Sequence, residues 1–209
     1  MTTQNGIKRY SPSDRANHVL VAVLFILAAV SGLALFHPSM FFLTAVLGGG
    51  ELSRVLHPFV GVASFVFFLG MFLRFWHHNL VDKNDRQWMC QIGDVMNGRE
   101  EKLPEVGRYN AGQKMFFWLM AIALVVLLLT GITFWRPYFV DYFSLDVRRA
   151  AVLIHALAAW IIILGLIVHI YAAIWVKGAL GAMRTGHVSK AWARKHHPAW
   201  YREVTGGNK

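Results

Sequence analysis

The sequence predicts an all-α integral membrane protein built as a four-transmembrane-helix bundle, and three observations predict it. Residues 19–36, 58–75, 115–135 and 150–176 form four long apolar stretches. Lysine and arginine crowd into alternate segments between those stretches. Four histidines stand within the stretches or at their ends, sorted into two depths.

Each apolar stretch is long enough to be a helix crossing a hydrocarbon core of about 30 Å, which takes roughly 20 residues. Helices are required because lipid offers the backbone no other hydrogen-bond partner. Composition agrees: 56% of residues are hydrophobic, mean hydropathy is +0.43, and only 15% are charged. A soluble domain carries about a quarter charged residues. The chain has 209 residues, which suits one domain, a single membrane domain over 1–209 with a basic C-terminal segment at 177–209. Neither a repeat of 20 to 50 residues nor a low-complexity tract is visible. Residues 28–32, Ala-Ala-Val-Ser-Gly, faintly resemble a signal-peptide cleavage region. The long polar lead at residues 1–17 is atypical of a signal peptide, so the first stretch is expected to be retained as a span.

The net charge of +10 does not indicate nucleic acid, because the charge lies in short blocks between apolar runs. Of 21 lysines and arginines, 17 fall before the first span, from the last turn of the second to the start of the third, or after the fourth. Positive segments stay inside, so both termini are expected in the cytoplasm. The outer loops are short and leave no room for a catalytic domain outside. Trp76, Trp135, Tyr138 and Trp175 sit at span ends, where an aromatic belt belongs. Residues 178–201 mix tryptophan with basic residues and read as an interfacial amphipathic segment on anionic membrane lipid.

The single cysteine, Cys90, cannot form an internal disulfide or hold an iron–sulfur cluster alone. Redox chemistry on this chain would therefore use histidine. His18 opens the first span on the inner side, and His57 opens the second on the outer side. His155 lies near the outer start of the fourth span and His169 near its inner end. Chain direction alone thus yields an outer pair, His57 with His155, and an inner pair, His18 with His169. The 14 residues from His155 to His169 bring the two rings to within about 40° of one helix face, roughly 21 Å apart. That geometry suits two b-type haems stacked inside the bundle, each iron between two histidines. One histidine in an apolar run is usually a hydrogen-bonded structural residue. Four at two matched depths point to function, since ionisable groups in spans are costly. Two nitrogens per depth fall short of a zinc site.

His37, His77, His78, His187, His196 and His197 read as interfacial, although His77 or His78 is an alternative inner partner for His169. Gly61 and Gly165 lie one turn from His57 and His169, and Gly32 and Gly131 interrupt the other two spans. Such small residues give clearance for a flat macrocycle or simply let helices approach. The third span opens with Asn110 as an N-cap and Gln113 three residues on, a capping-box variant. The same amides and the free N–H groups there could donate to a quinone carbonyl.

At these residues the chain closely resembles a known family over almost its whole length. The marks include Arg54-Val55-Leu56-His57-Pro58-Phe59, Gly107-Arg108-Tyr109-Asn110-Ala111-Gly112-Gln113-Lys114, Trp135-Arg136-Pro137-Tyr138-Phe139 and Lys195-His196-His197-Pro198-Ala199-Trp200-Tyr201. The family is the cytochrome b556 (gamma) subunits of respiratory formate dehydrogenases. The resemblance implies that His57 and His155 bind the outer haem b and that His18, in preference to His78, binds the inner one with His169. It implies menaquinone reduction beside the inner haem, at Asn110, Gly112, Gln113 and His169. It also implies a molybdenum or tungsten catalytic subunit and an iron–sulfur subunit on the periplasmic side, in a higher oligomer of the heterotrimer. Such a chain would carry electrons outward-to-inward in anaerobic respiration and help to build the proton motive force. A cytochrome b serving an uptake hydrogenase or another molybdenum enzyme is the nearest alternative. A haem-free four-helix transporter or assembly factor is the alternative from another class.

Overall fold

The computed structural model of the chain describes residues 6–99 and 102–206, so both chain ends, including Lys209 of the basic tail, lie outside the described residues. Four long helices carry the apolar stretches: α1 (Pro12–Phe36), α2 (Gly50–Phe75), α5 (Ala111–Thr133) and α6 (Leu145–Trp175). Each is long and apolar enough to cross a membrane. Every one begins at or before the residue where its hydrophobic stretch starts. Helix geometry does not require apolar residues, so α1 simply continues outward through its polar first turn. Between α1 and α2 lies a 3₁₀ helix over Pro38–Leu47, capped by His37, whose Nδ1 accepts the Ser39 N–H at 3.2 Å. His37 is therefore a structural cap, as an interfacial histidine before proline would be.

The chain divides into two compact units. The first comprises residues 16–73 and 119–168 and holds most of the four spans. Its buried positions are mostly small: Ser31, Ala34, Ser53, Ser64, Ala123, Ala151 and Ala158. Many of its large side chains face outward, Leu153 at 73% exposure and Ile122 at 62%, while Phe25, Phe68, Met120, Leu124 and Ile162 are buried among the small ones. That inversion of a soluble core is what lipid demands, since helices in a bilayer associate by close backbone approach and not by hiding apolar surface from water. Asn17 donates its amide to the Phe67 carbonyl at 3.1 Å, tying the start of α1 to α2.

Among the described residues, the second unit comprises 6–15, 74–99, 102–118 and 169–206. It contains the short helices α3 (Lys83–Cys90), α4 (Ile92–Met96), α7 (Ala179–Thr185), α8 (Lys190–His196) and α9 (Pro198–Thr205). A two-stranded antiparallel sheet joins its ends, β1 (Gly6–Lys8) pairing with β2 (His187–Ser189) so that Ile7 faces Val188. The segment expected to be interfacial and amphipathic is folded into a compact cap. Ala182, Val188, Ala193 and Trp200 form its core, with Ile7, Tyr10, Trp192 and Tyr201 packed around it. The polar lead supplies what the tail alone lacks, an extra strand and the Arg9 and Tyr10 side chains. The turn into β2 needs Gly186, whose φ is +81° and whose added Cβ would lie 2.7 Å from the Tyr10 carbonyl oxygen.

Arg9 is only 4% exposed and is surrounded by Tyr10, Tyr109, Trp192 and Trp200, the last with its ring 4.8 Å from the guanidinium. Arg9 Nη2 donates to the Arg108 carbonyl at 2.8 Å, and Arg108 Nη2 donates to the Arg9 carbonyl at 2.6 Å. His197 was expected at an interface but is buried at 3% exposure, because it completes this cluster. Its Nδ1–H donates to the Gly107 carbonyl at 2.8 Å, which turns Nε2 toward Arg9 Nη2 at 3.4 Å. Burial first, and the Arg9 cation second, hold the His197 imidazole down at about 3, with the Gly107 bond pulling the other way. The folded cap thus binds no proton there while the unfolded chain does below about 6.5. The cap's stability is complete above that pH. It should fall by up to about 1.4 kcal/mol per unit as pH drops from roughly 6.5 toward 3. Amide exchange of β1 and β2, corrected for intrinsic rates, should show this slope, and His197→Gln should flatten it.

Candidate functional site

The first unit brings the outer histidines together. His57, on α2, and His155, on α6, have ring centroids 6.4 Å apart and planes inclined by 67°. Two metal–nitrogen bonds of about 2 Å and two ring radii of about 1.1 Å sum to roughly 6.2 Å, so the spacing fits one metal atom held by both rings. Among the described residues no group of three or more His, Cys, Asp or Glu side chains could hold a metal ion. A two-nitrogen site suits iron whose other positions are filled by a macrocycle. Gly61, one turn after His57, adds clearance on the same helix: a Cβ there would meet nothing within 4 Å.

Each outer histidine is seated by the helix that precedes its own. Ser31 of α1 hydrogen-bonds His57 Nδ1 at 2.8 Å, and Thr130 of α5 hydrogen-bonds His155 Nδ1 at 3.0 Å. The next residue in each case is glycine. A Cβ on Gly32 would lie 3.3 Å from His57 Cε1, and one on Gly131 would lie 3.3 Å from His155 Cε1. These two glycines therefore give clearance to the imidazoles of the neighbouring helices, where the sequence left open clearance for a macrocycle or close helix approach. Phe134 meets His155 edge-on at 5.3 Å. Toward the same end of the spans, Phe59, Trp135 and Tyr138 form an aromatic cluster with centroids 5.1 to 6.5 Å apart. Ser31 and Thr130 were missed by sequence reasoning. The available signal was a hydroxyl–glycine step 26 residues before His57 and 25 before His155.

The inner candidates fall in different units. His18 lies on α1 in the first, and His169 lies on α6 in the second. His169 stacks on Phe116 of α5, with centroids 4.6 Å apart and planes 6° from parallel. His77 and His78 lie in a 3₁₀ turn after α2 with rings 4.0 Å apart, and His78 meets Tyr109 at 6.4 Å.

The start of α5 forms the capping box that its sequence predicts. Gln113 N–H donates to Asn110 Oδ1 at 2.9 Å, and Asn110 N–H donates to Gln113 Oε1 at 3.0 Å. The box engages both side-chain oxygens and leaves their NH₂ groups as donors for a ligand carbonyl. Trp88 of α3 packs on Gly112, where a Cβ would come within 3.3 Å of the indole. Just inside, Lys114 is buried, and its Nζ donates to Asp85 at 2.8 Å and Asp82 at 3.0 Å. Partial burial works to raise the Asp82 carboxyl, but the Lys114 ammonium and two backbone N–H groups outweigh it and hold it below its usual range. A small cavity shares Asp82, Asp85, Trp88, Tyr109, Asn110 and Lys114 as walls.

Comparison with known proteins gives this geometry a family. The profile of prokaryotic cytochrome b561 matches residues 9–186. The chain is 47% identical over 204 residues to the cytochrome b556 subunit of the nitrate-inducible formate dehydrogenase of Escherichia coli, covering 98% of this chain and 94% of that one. It is 48% identical to a second formate dehydrogenase cytochrome b556 subunit of that organism, covering 98% and 96%. It is 42% identical to the formate dehydrogenase cytochrome b556 subunit of Haemophilus influenzae, covering 97% and 85%. The four apolar helices, the pairing of His57 with His155 and these matches together make the chain a multi-pass membrane cytochrome b that belongs to the cytochrome b556 subunits of formate dehydrogenase.

Proposed function

We propose that this chain is the dihaem, quinone-reducing subunit of a respiratory formate dehydrogenase of the bacterial inner membrane, with both termini in the cytoplasm. His57 and His155 hold the outer haem b, and His18 and His169 hold the inner one. The observation that carries the reading is the outer pair itself: two imidazoles at the spacing of one iron, each seated by a hydroxyl. The inner pair rests on chain direction and on the charge pattern. Bound there, the haems supply one-electron carriers across the thickness of the bilayer.

A catalytic subunit and an iron–sulfur subunit complete the complex on the periplasmic side, and the assembly repeats as a higher oligomer. Oxidation of formate in the partner yields carbon dioxide, one proton and two electrons outside. Menaquinone on the cytoplasmic side takes two electrons and two protons to become the quinol. On this chain Asn110, Gly112 and Gln113 offer donors to the quinone carbonyl, with His169 adjacent. The cap at α5 holds those donors in place, and Asp82, 59% exposed at its side chain, gives cytoplasmic water a route to the same cavity. Protons are left outside and consumed inside, so charge separates without a proton channel. Moving each charge against 100 mV requires about 2.3 kcal/mol from the redox drop.

A quinone-site inhibitor applied to the purified complex tests the order of events. Formate should still reduce all the haem b while quinol formation stops. Haem that stays oxidised under the inhibitor would contradict an inner quinone site downstream of both haems.

A further inference from the structure

We propose that Ser31 and Thr130 are the positioning residues of the outer haem site, selecting the imidazole tautomer of both ligands and setting the haem's potential. The inference rests on the reading of His57 and His155 as axial ligands. Each hydroxyl has one proton and three neighbours. Ser31 Oγ lies 2.7 Å from the Leu27 carbonyl one turn back and 3.2 Å from that of Ala28. Thr130 Oγ1 lies 2.6 Å from the Val126 carbonyl and 3.3 Å from that of Leu127. Two oxygens at 2.6 to 2.7 Å repel unless a proton lies between them, so each hydroxyl donates to its own helix. It then has only lone pairs to offer the imidazole. His57 and His155 must therefore donate through Nδ1–H, which leaves Nε2 of each ring as the bare, metal-binding nitrogen.

The arrangement occurs twice with the same parts. In both cases the hydroxyl bonds back to residue i−4 and is followed by the glycine on which the ring's Cε1 edge rests. Back-bonding of this kind is common and by itself only bends a helix. Here it has a directional consequence, because the same oxygen meets the histidine of the next span. The acceptor is also neutral. A carboxylate in its place would draw the Nδ1 proton and make the ligand strongly electron-releasing, stabilising ferric iron. A hydroxyl already committed to a carbonyl does this only weakly. Losing even that acceptor should make the ligand less electron-releasing still, and so favour ferrous iron.

The test uses the intact complex bearing Ser31→Ala, Thr130→Val, and the conservative Ser31→Thr and Thr130→Ser. Redox titration and low-spin electron paramagnetic resonance are read alongside haem content. The first two variants should shift the midpoint potential of one haem upward and leave the other unchanged. They should also alter that haem's low-spin signal, since the ring plane loses its tether. The conservative pair should keep both near wild type. If Ser31→Ala or Thr130→Val loses the haem outright while its conservative partner retains it, the positioning role also stands. An unchanged potential and signal with haem retained would overturn the proposal, and so would equal damage from the conservative variants. His57→Ala in the same series separates the two readings. Full haem content in that variant would remove the ligand assignment itself and not merely the role of the hydroxyls.

Discussion

Replacing His57 by alanine is expected to halve the haem b content of the complex, and His155→Ala should do the same. The double variant should lose no more than either single one, because both rings serve the same iron across a 6.4 Å gap. Additive loss would mean that the two histidines belong to different haems. The bundle should still assemble, since neither ring is among its fully buried side chains and its packing comes from small residues such as Ser64 and Ala158. Pyridine haemochrome per polypeptide, with circular dichroism as the control for helix content, reads both outcomes.

The second large effect is expected at Lys114→Met. Lys114 and Asp85 have side chains only 8% and 10% exposed, so removing the ammonium strands a carboxylate away from water. Breaking such a buried pair costs about 3–5 kcal/mol. The damage should spread along α3, because Asp85 also accepts the Asp82 N–H at 2.7 Å in the capping box that starts that helix. Thermal unfolding of the detergent-purified complex should show a substantial loss for Lys114→Met. It should show a smaller one for Lys114→Met combined with Asp85→Asn, which leaves no buried unpaired charge, since Asp82 is 59% exposed at its side chain. Equal losses would mean that the ion pair is not what holds α3 against the start of α5.

Much of this architecture was legible because lipid constrains sequence severely. Length and polarity alone located all four helices, and the matched depths of four histidines suggested a cofactor before any comparison. The capping box of Asn110 and Gln113 was also readable, because it depends on residues three apart. What stayed hidden was nonlocal. Ser31 sat in a stretch that looked faintly like a cleavage region. Thr130 carried no sequence signal, since a threonine in a span ordinarily bonds back to its own helix. Neither shows its purpose until a second helix brings an imidazole to 2.8 or 3.0 Å. Gly32 and Gly131 were noticed, but what they make room for depends on the rotation of a neighbouring helix. Likewise His197 looked interfacial because its neighbours Lys195 and His196 are polar. Its burial requires Arg9 from the other end of the chain and Gly107 from its middle. The folded cap escaped the sequence for the same reason, since β1 and β2 lie about 180 residues apart.

Haem b per polypeptide in the purified wild-type complex, with the fraction reducible by formate, tests the central claim most directly. Two haems per chain, both reduced by formate, is the result predicted by an outer pair of His57 with His155 and an inner pair of His18 with His169. One haem would contradict the inner pair, and none would contradict the assignment of histidines to haem altogether.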